Sequence, residues 1–384
     1  MESCLTALLI HYIRLYRVLP IDMGKICSII ACKRGISAQA ELSLYEEEDL
    51  MSEIFLEKNR GGIVESLHRG DAVVVDSSGK VVAQAGDAQK YTYFRSSAKP
   101  IQALNVVLSG AYQQYGLTLA ELAVICSSHY SEDYHLAAVR SILAKAGLDE
   151  TYLRCGAAKS IREEIAYAQA LQGIGPARIK SDCSGKHSGM LITCKHKGYP
   201  LDSYLEPSHP LQQEILGLVA DVCLYPREQI GIGVDGCGVP VFALPIYNMA
   251  LGFARLADSA LLQTPLREAA DTVFTAMNAA PEMVSGTGGY CSTLMKATGG
   301  RMIGKIGAQG VYCIGIKDKK LGIALKIEDG SAGTASVAAM HVLRELDLLS
   351  EAEYVELEAF HHPAILNDEH KIVGETRAVF RLQQ

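Results

Sequence analysis

Arg95-Ser96-Ser97-Ala98-Lys99-Pro100 places a hydroxyl and an amine three residues apart. At a helix start that spacing puts both side chains on one face, about 5–6 Å apart at Cβ. A serine hydroxyl becomes a nucleophile once a neighbouring base takes its proton. Lysine serves as that base only when neutral, and lowering its pKa from about 10.4 to about 7–8 costs roughly 3–4 kcal/mol, supplied by burial or a nearby cation. A helix N-terminus adds a positive potential that favours an alkoxide. Alone, Ser-x-x-Lys is weak, because solvated helix starts carry it often.

Two later segments strengthen it. Cys126-Ser127-Ser128-His129 ends an apolar run in a hydroxyl-rich turn, and Lys305 sits in Gly304-Lys305-Ile306-Gly307. Taken singly, Ser128 reads as a loop or cap serine and Lys305 as a strand-end lysine. The order Ser-x-x-Lys, serine, Lys-x-Gly is the one found in penicillin-binding proteins and serine β-lactamases, enzymes that attack amides.

A third cluster is Asp182-Cys183-Ser184-Gly185-Lys186-His187-Ser188-Gly189, with Val234-Asp235-Gly236-Cys237-Gly238 some way downstream. Spacing suggests Cys183, His187 and Cys237 as zinc ligands. Two unrelated buried thiols are the plainer reading, and a Cys183–His187 thiol nucleophile is a third. Gly185-Lys186 lacks the upstream glycine of a phosphate loop. The run Ser285-Gly286-Thr287-Gly288-Gly289-Tyr290 has no strand-then-helix context for a dinucleotide, so it reads as a loop lining the site. The His361-His362 pair reads as structural.

The elements that must position these groups follow from periodicity. Ile63–Leu67 and Ala72–Val75 read as strands, the second forming a hairpin with Val81–Gln84 across Asp76-Ser77-Ser78-Gly79. Ile101, Leu104, Val107 and Leu108 give one face of a helix beginning near Ser96, with Pro100 in its first turn. Thr118 and Glu121 predict a capping box. Further helices follow Ser131 (Leu136, Val139, Ile142, Leu143) and Pro210 (Leu211, Ile215, Leu218, Val222). A second hairpin pairs Val311–Ile316 with Gly322–Ile327, and a helix after Gly330 carries Val337, Met340, Leu343 and Leu346. Strands near both ends with helices between them predict a sheet completed by both ends of the chain and covered by helices.

Bulk properties narrow the class. The 384 residues are 49% hydrophobic and 21% charged, ordinary for one large or two smaller globular units. A net charge of −7 repels phosphate backbones and argues against a nucleic-acid partner. The 11 cysteines are odd in number and follow no repeating frame, which suits reduced thiols in small core positions. No apolar stretch reaches the roughly 18 residues of a membrane span. The apolar run Leu5–Ile10 precedes His11 and Arg14, whereas a secretory leader carries its charge first. An untargeted, cytoplasmic protein is expected. Residues 1–50 lack a clean pattern and end in Glu46-Glu47-Glu48-Asp49, so translation is expected to start at Met51, with 1–50 a non-native or disordered extension and 51–384 the hydrolase domain.

Taken together, these segments resemble the rhizobial-type L-asparaginase family (asparaginase II-like). The matching stretches include Arg60-Gly61-Gly62-Ile63-Val64-Glu65-Ser66, Arg95 to Pro100, Ser128-His129, Arg154-Cys155-Gly156, Cys183 to His187, Asp235-Gly236-Cys237, Gly304-Lys305, Lys326 to Gly330 and Phe360-His361-His362-Pro363. Coverage runs from about Ile54 onward. The resemblance implies an α/β (α+β) sandwich of serine β-lactamase or DD-peptidase type, with a helical region over about 100–225. It implies hydrolysis of the side-chain amide of L-asparagine by two Ser-Lys pairs, Ser96 with Lys99 and Ser128 with Lys305. It also implies a zinc on Cys183, Lys186 and Cys237, with His187 moved from the metal to the substrate's surroundings. Arg95 and Asp235 then line the pocket, facing the substrate's carboxylate and ammonium. Asp182 stands where family members carry asparagine, which bears on metal affinity and substrate preference. A homodimer is left open. The competing expectations are a serine hydrolase of β-lactams or peptide amides, which turns over nitrocefin and not asparagine, and an inactive zinc-stabilised amino-acid-binding protein, which asparagine stabilises without being consumed.

Overall fold

The computed structural model describes residues 52–331 and 333–384. The expected start at Met51 and the extension before it lie outside the described residues. The strands are β1 (Glu53–Arg60), β2 (Ile63–Asp76), β3 (Val81–Ala85), β4 (Tyr91–Tyr93), β5 (Gly231–Val234), β6 (Pro240–Pro245), β7 (Met302–Gly307), β8 (Val311–Ile316), β9 (Leu321–Ile327), β10 (Ala364–Leu366) and β11 (Ile372–Ala378). The helices before β5 are α1 (Lys99–Leu108), α2 (Ala111–Gln114), α3 (Leu119–Ile125), α4 (Asp133–Lys145), α5 (Glu163–Leu171), α6 (Ser184–Lys197) and α7 (Pro210–Cys223). After β6 come α8 (Ile246–Ala257), α9 (Leu266–Ala279), α10 (Tyr290–Ala297), α11 (Thr334–Glu345) and α12 (Glu351–His361).

The architecture is an α/β sandwich. Its larger sheet is antiparallel, in the order β10-β11-β1-β2-β9-β8-β7, with β3 added to β2. Strands from both ends of the described chain therefore sit side by side in it, as the hairpin pattern predicts. Ala72–Val75, Val311–Ile316 and Ile323–Leu325 are buried at odd and even positions alike, the mark of a sheet covered on both faces. Helix α8 packs on β2, β8 and β9, and α11 packs on β1, β8, β9 and β11.

The expected strands Ile63–Leu67 and Ala72–Val75 are one strand. Gly70 is where β2 changes partner from β1 to β9. A Cβ there would lie 2.8 Å from the Phe55 ring and 2.9 Å from the Lys326 carbonyl, so only glycine lets the strand run through. Both hairpins form at the expected places, Val75 pairing with Val81 and Ile316 with Leu321. Asp76 closes the first turn by accepting from the amides of Ser78 and Lys80.

No strand lies between β4 and β5 among the described residues, so the helical region α1–α7 is inserted in the chain between two strands of the small sheet β4-β6-β5. Thr118 and Glu121 form the reciprocal capping box that starts α3. In α7, Leu211, Ile215 and Val222 are buried as their spacing predicts, but Val219 takes the inward position expected of Leu218. Helix α6 packs against α1, α3 and α4. All eight cysteines among the described residues are buried and unpaired. No helix among the described residues is long and apolar enough to cross a membrane.

Candidate active site

Ser96 lies in a single 3₁₀ turn, Arg95–Ala98, and the α-helix proper begins only at Lys99. The helix expected to begin near Ser96 is therefore 3₁₀ in its first turn. Pro100, with no amide hydrogen to lose, sits in the first turn of α1. Arg95 adopts φ 51°, a left-handed conformation that costs a non-glycine residue on the order of 1–3 kcal/mol and collects at functional sites. The turn is clamped from two sides. Phe94 N donates to Phe242 O at 2.8 Å, and the buried Ser97 Oγ donates to Lys305 O at 2.8 Å. Ser97 thus ties the turn to β7, the strand that carries Lys305.

Ser128 follows α3 in an extended loop held by its neighbours' carbonyls. Its amide donates to Val284 O at 2.9 Å, His129 N donates to Asp182 O at 3.3 Å, and Tyr130 N donates to Ser285 O at 2.9 Å. The glycine-rich segment beginning at Ser285 therefore borders the site through its first residue. Gly185 sets the other approach, because a Cβ there would fall 2.0 Å from Val124 O. Only glycine lets the start of α6 press against the end of α3, and Asp182 and Cys183, just before α6, share a cavity wall with Ser128.

The result is a hydroxyl between two amines. Ser128 Oγ accepts from Lys305 Nζ at 2.8 Å and from Lys99 Nζ at 3.2 Å. Lys99 Nζ also donates to Ser127 O at 2.6 Å and pairs with Asp182 Oδ2 at 3.6 Å, while Lys305 Nζ donates to Ile306 O at 2.8 Å. Both lysines are fully enclosed. Ser96 is half-buried on the wall of the same cavity of about 520 Å³, together with Arg95, Ser128, Asp182, Cys183, Asp235 and Cys237. Among the described hydrogen bonds none joins Ser96 Oγ to Lys99, whose amine is turned to Ser128. The i, i+3 pairing read from the sequence is replaced by a cross-element one.

The two lysines differ in basicity. Burial and the neighbouring Lys99 cation bring Lys305 down to about 8. Burial also works to lower Lys99, but the negative charge around Cys183 and of Asp182 outweighs it and holds its pKa above the usual value. Asp182 is itself kept low against its burial by Lys99, His129 and Lys305. Sequence reasoning did not foresee Asp182 as the counter-ion of Lys99; its adjacency to Cys183 was the available signal.

Arg95 and Asp235 are brought together as an ion pair, Nη2 to Oδ1 at 2.9 Å and Nε to Oδ1 at 3.0 Å. Burial opposes ionisation of Asp235, yet Lys186 and Arg95 hold its pKa below the usual range. Both groups line the cavity, so each is paired with the other where a zwitterion would present the complementary charges.

The Cys183, Lys186 and Cys237 side chains also meet. Lys186 Nζ lies 3.1 Å from Cys237 Sγ, and the Cys183 thiol is hydrogen-bonded to Cys237. That bond, with the Lys186 charge, brings Cys237 down to about 5 against its burial. Lys186 is held protonated by the same thiolate, against its own burial. Among the described residues no group of three or more His, Cys, Asp and Glu side chains could hold a metal. The set present is two sulfurs and a nitrogen, and with Lys186 deprotonated it would offer the N and S donors that zinc prefers.

His187 is in neither place expected of it. Its ring is wholly buried, Nδ1 lies 2.7 Å from the Tyr204 hydroxyl, and burial pushes its pKa down to about 3. It is not on the cavity wall. Four residues beyond Cys183 it points into the helical core toward Tyr204, whereas Lys186, one residue earlier, reaches Cys237. The ligand set chosen by spacing and the Cys183–His187 nucleophile both fail for this reason.

No curated protein matches the chain. Among solved structures it is similar to the native form of Mglu, at 14% identity and a TM-score of 0.35, covering 73% of this chain and 61% of that one. It is also similar to a β-lactamase from Mycobacterium bovis, at 12% identity, TM-score 0.36 and coverage of 76% and 95%. A D-alanine carboxypeptidase from Burkholderia cenocepacia matches at 14% identity, TM-score 0.33 and coverage of 76% and 93%. The family model described as L-asparaginase II spans residues 56–378, a stretch that holds every group of the cavity from Arg95 to Lys305. The chain belongs to the L-asparaginase II family.

Proposed function

We propose that this chain hydrolyses the side-chain amide of L-asparagine to L-aspartate and ammonia. The observation that carries the reading is Ser128 Oγ, held between two enclosed lysine amines on a cavity that also presents Ser96 and the Arg95–Asp235 pair. Asparagine is a zwitterion with a short amide arm. Its ammonium replaces Arg95 at Asp235, its carboxylate takes Arg95, and the amide reaches the serines.

The attacking group is Ser96. Its hydroxyl has no partner among the described hydrogen bonds, whereas Ser128 Oγ is engaged by both lysines. With its pKa of about 8, Lys305 gains and loses a proton with Ser128 near neutrality, whereas Lys99 becomes a base only when the negative charge around Cys183 and of Asp182 that holds its proton is offset. The neutral Lys99 then takes the Ser96 proton as Ser96 Oγ bonds to the amide carbon. The C–N bond breaks as Ser128, resupplied by Lys305, gives its proton to the departing nitrogen, and water releases aspartate from Ser96. Among the described residues the amides of Ser96 and Ala308, both on the cavity wall, donate to no acceptor, which frees them for the developing oxyanion. Zinc held by Cys183, Cys237 and a neutral Lys186 would absorb the thiolate charge that keeps Lys99 protonated.

The test is ammonia release from asparagine and glutamine by the wild type, Ser96→Ala and Lys99→Ala. Each variant is expected to lose on the order of 10³-fold in kcat with its fold intact. Near-wild-type turnover by both would refute the assignment.

A further inference from the structure

A second cavity meets the first at Ser128. It has a volume of about 640 Å³, within the range of small-molecule pockets, and no group yet described uses it. Ser128, Ile161 and Ile306 belong to the walls of both cavities. Beyond them its walls are largely apolar and aromatic: Tyr130, Tyr290, Val337, Phe360 and Pro363. Tyr290 packs against Tyr312 and Phe360, and its buried hydroxyl has no hydrogen-bond partner among the described residues. The charged side chains on the walls are Lys58 and Arg162, and Arg162 Nε pairs with the exposed Glu164 carboxylate at 3.2 Å just outside them. The Arg162 guanidinium lies 5.3 Å from the centre of the Tyr130 ring.

Ser128 is the group that hands a proton to the departing nitrogen, so that nitrogen must sit at the junction of the two cavities. Ammonia needs none of the space beyond it. From this arrangement, and resting on the asparaginase reading above, we infer that the enzyme also cleaves secondary amides of the aspartate side chain whose nitrogen carries an apolar group with a carboxylate. A dipeptide in which aspartate is linked through its β-carboxyl to phenylalanine is the simplest member. The aspartyl end occupies Arg95 and Asp235, the phenyl group lies among Tyr130, Tyr290 and Phe360, and the carboxylate meets Arg162 or Lys58. Ser96 bonds to the β-carbonyl carbon, the C–N bond breaks, and the phenylalanine nitrogen leaves with the proton from Ser128. Water then completes the hydrolysis as it does for asparagine.

The experiment incubates the full chain with asparagine and, separately, with β-aspartyl-phenylalanine, measuring ammonia and free phenylalanine. Ala359→Trp and Ser336→Trp narrow the second cavity from positions that are exposed and half-buried, and neither residue touches the first. Phenylalanine release is expected from the wild type. Both variants should lower kcat/KM for the dipeptide by about tenfold or more while leaving asparagine turnover within about twofold. Arg162→Ala should raise KM for the dipeptide and not for asparagine. Ammonia release without phenylalanine release would overturn this inference and leave the asparaginase reading standing. Loss of both activities in the wild type would overturn that reading itself. Equal losses on both substrates in the tryptophan variants would show that the second cavity does not take the leaving group.

Discussion

Lys305→Met removes an amine and keeps the stem. In the folded chain Lys305 titrates near 8, against an ordinary 10.5 for a solvated lysine. That difference is a penalty of about 3 kcal/mol on its charged form. Between those two values the unfolded chain binds a proton that the folded chain does not, so stability rises with pH across that window. Below about pH 8 the full penalty is present. Methionine removes it but gives up the hydrogen bonds to Ser128 Oγ and Ile306 O, worth about 1 kcal/mol each. At pH 7 the variant should therefore be more stable than the wild type by about 1 kcal/mol. Near pH 10 the wild-type penalty has mostly gone, and the variant should be the less stable by about 1 kcal/mol. Urea unfolding at the two pH values reads the difference directly. Activity should fall about 10²–10⁴-fold, because the relay loses its terminus. A variant less stable than the wild type by a similar amount at both pH values would refute the picture of a desolvated amine of lowered pKa at this position.

Two further outcomes follow from the pocket walls. Asp235→Asn should raise KM for asparagine about 10–100-fold, the value of a lost charge-assisted hydrogen bond. For succinamate, which lacks the ammonium, wild type and variant should be nearly alike; an equal penalty on both substrates would mean that Asp235 acts only by holding Arg95. Cys183→Ala protein should carry less than one zinc per chain by elemental analysis where the wild type carries one, and full occupancy in the variant would contradict the metal site.

Much of this molecule is legible in its residues. The hairpin at Asp76-Ser77-Ser78-Gly79, the capping box at Thr118 and the apolar faces of α1 and α4 each depend on contacts within a few residues, where spacing is decisive. The order of Ser96, Lys99, Ser128 and Lys305 is legible for a different reason, its likeness to the order in other amide-attacking enzymes, since the contacts among these groups are long-range.

Which groups touch one another depends on the assembled fold. A flexible lysine side chain three residues from a serine has many rotamers, and its actual partner depends on which carbonyls and carboxylates the fold stacks around it. Lys99 is drawn to Ser127 O, Ser128 and Asp182 because Gly185 lets α6 close onto α3 there. His187 and Lys186 are neighbours in the chain, yet a rotation of one helical position sends one into the core and the other to sulfur. No local pattern encodes the second cavity either, because its walls come from β1, the loop before α10, and the segments around α11 and α12. Burial then sets Lys305 apart from Lys99, since the electrostatic environment belongs to the assembled pocket and not to any stretch of chain.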